Sequence, residues 1–244
     1  MLSKSEVKHI QSLAHQKGRK ETGWFLAEGV KLVEDLLVSC PDQVQMIYAT
    51  DEFITKNQIR IEKSRCRLID EQDLNKISLL QTPNQAVAIV RKFDSIQSSL
   101  DEDGWILALD GIQNPGNLGT IIRNADWFGI RNIICSEDTV DCYNPKVIQA
   151  SMGSIARVSL TYLNLAKYLS ESNRTICGAS LNGAPLKGFK WAKTGILLLG
   201  GEGQGIRPEL SGLLNIELTI DRSGAAESLN VAAASAIFLW EMSK

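Results

Sequence analysis

Three short segments of this chain combine glycine with polar side chains, and they cover residues 110–125, 199–206 and 220–231. Glycine lets a backbone turn tightly and approach a ligand closely. The polar residues in these segments include Asp110, Arg123, Glu202, Ser228 and Asn230. Charged, hydroxyl and amide side chains of this kind can position a ligand and stabilise charge that develops on it.

The middle segment invites a nucleotide-binding interpretation, which its spacing does not support. The third glycine of a dinucleotide fingerprint would fall where the chain has Ile206, and a P-loop would need lysine at that same position. Glu202 would also place a carboxylate where a polyphosphate should bind. A nucleotide-dependent oxidoreductase is therefore disfavoured, and we expect the backbone here to approach an uncharged ligand closely.

After residue 104, short continuous apolar runs alternate with helix-like segments, which predicts an α/β domain with a parallel sheet covered on both faces. The predicted strands are Trp105–Leu109, Asn132–Cys135, Ala156–Leu160, Thr175–Ala179, Gly195–Leu199 and Ile216–Ile220. The predicted helices are Leu118–Phe128, Pro145–Ala150 and Leu229–Met242. Because ligands of such sheets bind beyond the carboxyl ends of the strands, we expect the three polar segments at that edge.

The first hundred residues predict a separate mixed α/β domain. Ser3 and Glu6 form a capping-box pattern for a helix from Ser3 to Gln16 that ends at Gly18, and a second helix is predicted over Glu28–Val38. Strands are predicted at Val44–Ala49 and Ala86–Val90. A polar stretch from Phe93 to Asp103 indicates a linker. We predict an accessory domain over 1–97, a linker over 98–104 and a second domain over 105–244.

The formal net charge of -2 hides two basic clusters in the first domain. Six members of these clusters are candidate contacts to the phosphate groups of a partner, namely Lys17, Arg19, Lys20, Arg60, Lys63 and Arg65. A positive module joined to an acidic remainder favours a polyanionic partner, although a solvated surface has the same composition.

The last predicted helix carries no charge between Leu229 and Trp240, and apolar residues occupy all its sides. A helix that is apolar all round must be buried all round. Since this helix ends the second domain, we predict that it is covered by a second copy of the chain in a homodimer.

The five cysteines form no Cys-x-x-Cys pair, and the two histidines, His9 and His15, are distant from them in sequence. This spacing predicts neither a metal site nor a disulfide framework. No apolar run is long enough to cross a bilayer, and the amino terminus lacks the pattern of a secretory signal. We therefore expect a cytoplasmic protein with reduced thiols.

Three motifs together give the chain a resemblance to a known family. They are Asn114-Pro-Gly-Asn-Leu-Gly-Thr-Ile-Ile-Arg123, Gly200-Gly-Glu-Gly-Gln-Gly205 and Glu227-Ser-Leu-Asn-Val231. In order and spacing they resemble the signature motifs of the SpoU-type (TrmH-like) RNA ribose 2′-O-methyltransferases of the SPOUT superfamily. The resemblance covers about Trp105 to Met242, and Phe25-Leu-Ala-Glu-Gly29 is similar to the family's accessory RNA-binding domain.

The resemblance implies a trefoil-knotted α/β domain that binds S-adenosylmethionine, preceded by a domain with a ribosomal-protein-like fold. It also implies an obligate homodimer with its active site at the interface. The residues implied to hold the cofactor are Leu199, Gly200, Gly201, Ile220, Ser228 and Leu229. The residues implied to be catalytic are Asn117, Arg123, Glu202, Ser228 and Asn230. The implied activity is methylation of a ribose 2′-hydroxyl in structured RNA, with ribosomal RNA favoured over transfer RNA.

Within that activity, Arg123 is the family's catalytic arginine. Because an arginine stays protonated in proteins, we expect it to stabilise a phosphate and the developing alkoxide, with Glu202 orienting its guanidinium. One departure from the family is Asp221-Arg222, where the third motif has proline and methionine. These two charges motivate an alternative, a non-catalytic RNA-binding protein that keeps the fold.

Overall fold

The computed structural model describes residues 1–58, 60–93 and 104–244, so the predicted linker lies outside the described residues apart from Gly104. The chain divides into two compact units. The first unit consists of residues 1–94 together with 141–156, and the second consists of 95–140 together with 157–244. The segment 141–156 therefore packs with the amino-terminal residues, although it lies in the second half of the sequence.

The first unit has mixed α/β structure. Its strands are β1 (Trp24–Glu28), β2 (Val44–Ala49), β3 (Cys66–Leu68) and β4 (Ala86–Arg91). Its helices are α1 (Lys4–Ser12), α2 (Gln16–Thr22), α3 (Val30–Ser39), α4 (Asp51–Asn57), α5 (Glu71–Ile77) and α7 (Pro145–Ser151). The strands form a 4-stranded sheet in the order β1-β4-β2-β3, in which β4 is antiparallel to both neighbours and β2–β3 is parallel.

The capping box predicted for the first helix is confirmed, because the Ser3 side chain accepts from the Glu6 backbone and Glu6 accepts from the Ser3 backbone. The predicted end of this helix is wrong. The helix ends at Ser12, and Gly18 lies inside α2, where a Cβ atom would come within 2.3 Å of the Ser12 carbonyl oxygen. Gly18 thus permits two helices to approach closely.

Arg19 corrects the list of predicted phosphate contacts. Only 2% of its side chain is exposed, and its guanidinium donates to Asp141 at 2.7 Å. It also donates to the backbone carbonyls of Leu13 and Ala14, at 3.0 and 2.9 Å. Because its side chain is buried and its donors are taken by these partners, Arg19 fastens α2 to the segment 141–156 within the first unit instead of facing solvent.

The second unit is an α/β domain with a 6-stranded parallel sheet. Its strands are β5 (Trp105–Asp110), β6 (Asn132–Cys135), β7 (Ser159–Tyr162), β8 (Ile176–Pro185), β9 (Gly195–Gly200) and β10 (Ile216–Thr219). Its helices are α6 (Pro115–Trp127), α8 (Leu165–Glu171), α9 (Pro208–Ser211) and α10 (Val231–Met242). The strand order is β10-β8-β9-β5-β6-β7, and every pairing is parallel.

The predicted parallel sheet is confirmed, with differences at particular boundaries. Helix α6 begins at Pro115, three residues before the prediction, because the Asn114 side chain caps it by accepting from Gly116 and Asn117. The strand predicted over Ala156–Leu160 begins at Ser159, since a short 3₁₀ turn occupies Ser154–Ala156. Within the described ranges, no helix is long and apolar enough to cross a bilayer.

Within the single chain the last helix is buried on one side only, so its predicted burial on all sides requires the second copy of the chain and stays a prediction. Val231, Ser235 and Phe238 on α10 are buried, whereas Ile237 is 36% exposed and Trp240 is 55% exposed. The buried side of α10 packs on α6, where Asn124 donates to the Ala232 carbonyl and to Ser235, both at 2.9 Å.

Replacing Arg19 by alanine should destabilise the first unit strongly. The change leaves the Asp141 carboxylate and two backbone carbonyls without their donor, and breaking such a buried pair costs about 3–5 kcal/mol. The free energy of unfolding in urea checks this expectation. The neighbouring exposed residue gives a matched control, because Lys20→Ala should change stability by about 0.5 kcal/mol or less. Equal effects of the two changes would contradict the role assigned to Arg19.

Candidate active site

The three polar segments meet at the carboxyl edge of the parallel sheet, as predicted. The second and third segments line a cavity of about 670 Å³ there, together with residues 179–181 of β8 and one side of α10, whereas the first segment contributes residues 110–113 to a smaller cavity. The six predicted cofactor-binding residues all border this cavity, namely Leu199, Gly200, Gly201, Ile220, Ser228 and Leu229. A volume of this size suits a ligand of the dimensions of a nucleoside derivative.

The glycine-rich loop from Gly200 to Gly205 closes on itself, and two of its glycines, Gly200 and Gly201, leave no room for a side chain. The Gly205 backbone donates to the Gly201 carbonyl at 3.0 Å, and Gly205 adopts a φ of 65°. A Cβ atom on Gly200 would lie 2.0 Å from the Gly205 carbonyl carbon. A Cβ atom on Gly201 would lie 2.8 Å from the carbonyl oxygen of Gly111, so the loop is packed against the end of β5 as well.

A buried ion pair that the sequence did not predict holds this loop in place. Asp110, which is 1% exposed at the end of β5, accepts from the Arg207 backbone at 2.8 Å and from its Nε at 2.6 Å. The Arg207 guanidinium also lies 3.4 Å from Asp138. The sequence offered two signals of this pair, namely one carboxylate at the end of an apolar strand and one arginine after a glycine-rich loop. Neither residue type indicates which charge pairs with which across the fold.

The ion pair has electrostatic consequences on both sides. The hydrogen bond to Asp110 raises the pKa of Arg207, which therefore remains protonated. A hydrogen bond from Ser136 and the nearby Arg207 charge lower the pKa of Asp138, so its carboxylate remains ionised. These groups border a second, smaller cavity of about 360 Å³ on the opposite side of the glycine loop.

Two of the predicted catalytic residues, Asn117 and Asn230, contact each other. The Asn230 side chain caps α10 by accepting from the backbones of Ala232 and Ala233, at 2.9 and 3.3 Å. Its amide nitrogen must therefore be the donor to Asn117 Oδ1, at 3.1 Å. This orientation leaves the buried Nδ2 of Asn117 with no acceptor among the described residues. A buried amide donor without an acceptor is costly, and a bound oxygen would satisfy it.

Arg123 and Glu202, which were predicted to pair, do not meet within this chain. Both side chains are exposed, and no ion pair or hydrogen bond joins them in the described structure. Arg123 lies on the solvent-facing side of α6, in line with Thr120 and Trp127, and Trp127 is 82% exposed. The orientation of the Arg123 guanidinium by Glu202 of the same chain is therefore corrected.

The segment 221–230 is exposed at every residue, so Ser228 is accessible from the cavity. Within it, Arg222 donates to the Ala226 carbonyl at 3.1 Å. The unusual arginine of this motif thus bridges its own loop.

The remaining predicted phosphate contacts lie in the first unit and differ in exposure. Lys17, Lys20, Arg60 and Lys63 are exposed, and Lys17 lies 3.9 Å from Glu21. Arg65 is half-buried and pairs with Glu62 at 3.1 Å. Among the residues that the structure describes, no group of three or more histidine, cysteine or acidic side chains is arranged to hold a metal ion.

Comparison with known proteins gives two family matches along the chain. The model of the SpoU rRNA Methylase family matches residues 104–240, and that of the MRM3-like substrate binding domain matches residues 4–88. Among curated proteins, the chain is similar to the 23S rRNA (guanosine(2553)-2′-O)-methyltransferase RlmP of Bacillus subtilis, with 32% identity over 97% of this chain and 95% of that protein.

Solved structures show the same similarity over nearly the whole chain. A TrmH-family protein from Porphyromonas gingivalis superposes with a TM-score of 0.84 at 36% identity, covering 99% of this chain and 98% of the other. An AdoMet-bound rRNA methyltransferase from Sinorhizobium meliloti superposes with a TM-score of 0.86 at 27% identity, covering 99% and 95%.

Substitution by alanine should destabilise the protein at one glycine of the glycine-rich loop and have little effect at another. Gly200→Ala forces a methyl group into the Gly205 backbone, so we expect a loss of stability of about 3 kcal/mol. Gly203→Ala meets nothing within 4 Å and should be nearly neutral. Urea unfolding of the two variants measures the difference. A Gly200→Ala protein as stable as the Gly203→Ala protein would show that the loop is not closed as described.

Proposed function

The chain belongs to the SpoU rRNA methylase family, and from this premise we propose that it transfers a methyl group from S-adenosylmethionine to a ribose 2′-hydroxyl of ribosomal RNA. The observation that carries the proposal is the cavity at the carboxyl edge of the sheet, which all six predicted cofactor-binding residues border. The name of the Bacillus relative, a 23S rRNA 2′-O-methyltransferase, supports ribosomal RNA over transfer RNA.

The cavity fits the proposed cofactor in size and in the character of its lining. Backbone groups of the glycine loop and the apolar side chains of Leu199, Ile220 and Leu229 would hold an uncharged nucleoside portion. Glu202, Asp221 and Glu227 also border the cavity, and their negative charge favours a cationic sulfonium. When bound, S-adenosylmethionine supplies an electrophilic methyl group.

Arg123 is proposed to act on the acceptor. Its guanidinium is exposed and forms no ion pair with a described residue, so it is available to a phosphate and to the 2′-oxygen as negative charge develops there. Because arginine cannot serve as a base, the hydroxyl proton would go to a phosphate oxygen or to water.

Asn117 and Asn230 are proposed to position the acceptor ribose. The helix cap fixes Asn230, and Asn230 in turn orients Asn117, whose Nδ2 is left as a donor for an oxygen of the substrate. Ser228 stands two residues before this cap on the rim of the cavity, where its hydroxyl can bind the same ribose. Glu202 is proposed to orient Arg123 only when a second chain completes the site.

A homodimer formed through the second domain would supply that second chain. Ala233, Ile237 and Trp240 form one exposed face of α10, and Trp127 adds a further exposed aromatic side chain on α6. Such an apolar surface is typical of a subunit interface. Arg123 lies on the same face of α6 as Trp127, so the proposed interface would include it.

The domain is also proposed to contain the family's trefoil knot. The chain leaves β10 at one edge of the sheet and returns in α10 to pack on α6 and β9. The returning segment 220–230 borders the same cavity as the glycine loop. This route supports passage of the carboxyl-terminal segment through a loop.

The accessory domain is proposed to bind RNA. In chain order the proposed domains cover residues 1–97 and 105–244, and the segment 141–156 packs with the first unit. The match to a substrate binding domain over residues 4–88 supports this role, as do the exposed Lys17, Lys20, Arg60 and Lys63. Arg65 is retained as a weaker candidate, and a ribosomal-protein-like fold is proposed for this unit. We assign the enzyme to the cytoplasm, where ribosomal RNA would be its substrate.

Arg123→Ala should abolish methyl transfer, and Arg123→Lys should raise the activation free energy by about 2–4 kcal/mol relative to the unmodified enzyme, because lysine lacks the planar fork of donors. Single-turnover methylation of ribosomal RNA at saturating substrate measures the chemical step. Arg131→Ala, which removes an exposed arginine of the same unit, is the matched control and should retain the full rate.

The same proteins separate the proposed enzyme from a non-catalytic RNA-binding protein. Calorimetric titration with S-adenosylmethionine should give binding in both Arg123 variants within a few-fold of the unmodified chain. An unmodified chain that binds RNA but no cofactor at millimolar concentration would favour the non-catalytic alternative. A normal rate in Arg123→Ala would instead refute the role of Arg123 alone.

Ile237→Glu should convert the dimer to a folded monomer, because a charge on the exposed face of α10 opposes burial at an apolar interface. Phe238 is only 1% exposed, so a charge there would disrupt folding and not test association. Sedimentation velocity measures the mass, with Leu68→Glu, at a side chain 58% exposed in the first unit, as the control. A monomeric unmodified chain, or a dimeric Ile237→Glu protein, would refute the interface.

A further inference from the structure

One stretch of the second unit lacks acidic residues. Between Glu171 and Glu202 the sequence contains no aspartate or glutamate, although the chain has 28 of them. The same stretch contains four basic residues, Arg174, Lys187, Lys190 and Lys193. The three lysines lie in the connection from β8 to β9, residues 186–194, which we call the basic loop.

Aromatic packing holds the basic loop in a defined position. The Trp191 ring lies edge-on to Trp105 and to Phe189, with centroid distances of 5.0 and 4.9 Å. The Trp105 indole donates to the Ala192 carbonyl at 3.0 Å. Gly195 lies directly against the Trp105 ring, since a Cβ atom there would be 2.5 Å away from it. The loop is therefore attached to the start of β5 and β9.

The charges of the basic loop are available to a partner. Lys187, Lys190 and Lys193 are exposed, and none of them forms an ion pair with a residue that the structure describes. Arg174 precedes β8 and lies at the amino-terminal edge of the sheet, where the loop ends, and there it donates to the Gly104 carbonyl at 2.7 Å. Lysines three residues apart are separated by at most about 10 Å of chain, so one phosphate backbone can contact all three.

We propose that the basic loop binds the phosphate backbone of the RNA substrate, an inference that rests on the proposed function. A polyanion is favoured over a protein or a membrane surface because, among the loop residues, no large apolar side chain is exposed. Leu186 is buried, and Phe189 and Trp191 are half-buried in the aromatic cluster. Phosphate contacts from lysine add affinity without reading sequence.

The position of the loop restricts the kind of RNA that can use it. The basic loop runs from the carboxyl edge of the sheet, where Leu186 donates to the carbonyl of Thr219 beside the cavity at 2.8 Å, to the amino-terminal end of β9. A strand of six residues is about 20 Å long. An RNA that contacts all three lysines and the cavity must therefore extend over about that distance, which a single nucleotide in the cavity does not.

The test removes the three charges together from the full-length protein. Lys187→Gln, Lys190→Gln and Lys193→Gln are combined, and binding to a fluorescein-labelled RNA hairpin of about forty nucleotides is followed by anisotropy over a range of salt concentrations. Each lost phosphate contact should reduce the slope of log affinity against log salt by about 0.7–0.9, so we expect a total reduction of about 2–3. We also expect about 10- to 100-fold weaker binding at low salt.

A charge-matched control uses three exposed cations of the same unit, with Arg131→Gln, Lys167→Gln and Lys244→Gln combined. This protein should keep the unmodified slope. Equal slopes for the two triple variants, or an unchanged slope in the basic-loop variant, would overturn the proposal. So would a lowered midpoint of thermal unfolding in the basic-loop variant alone, since the loop would then act on the fold. Absence of methylation by the unmodified chain would refute the proposed function and leave these binding results valid.

Discussion

The buried carboxylate of Asp110 is the constraint on which the candidate site depends. Asp110 is 1% exposed, and leaving its charge without a partner would cost several kcal/mol. Its hydrogen bonds from the backbone and the guanidinium of Arg207 therefore hold Arg207 at the end of β5. The glycine loop lies between them and is thereby closed over Gly111. Neither charged residue borders the larger cavity, yet their pairing determines where its glycine wall lies.

The sequence predicted those features of the fold that depend on residues close together along the chain. The capping box of Ser3 and Glu6 depends on residues three positions apart, and the continuous apolar run Trp105–Leu109 is typical of a strand buried on both faces. The convergence of the polar segments followed from a general property of parallel sheets. Most of the second unit and the lining of its cavity were therefore predictable.

Contacts between distant residues were not predictable in the same way. Arg19 was selected as a phosphate contact because of its basic neighbours, but its partner Asp141 lies 122 positions away. Glu202 was expected to pair with Arg123 because both were assigned to one active site. Arg123 instead lies on the exposed face of α6, which directs it away from the glycine loop of the same chain. Charge type indicates what a residue can bind, and only the fold decides which partner is within reach.

The two faces of α10 connect the cavity with the proposed interface. Val231, Ala234 and Phe238 border the cavity, whereas Trp240 lies on the opposite side of the helix and Ile237 lies between the two sides, since each residue advances the helix by about 100°. A ligand that fixes the exposed segment 221–230 also fixes the start of this helix. A partner chain that covers the other face restricts the same element. Because binding free energies are reciprocal, cofactor and partner would then each strengthen the binding of the other.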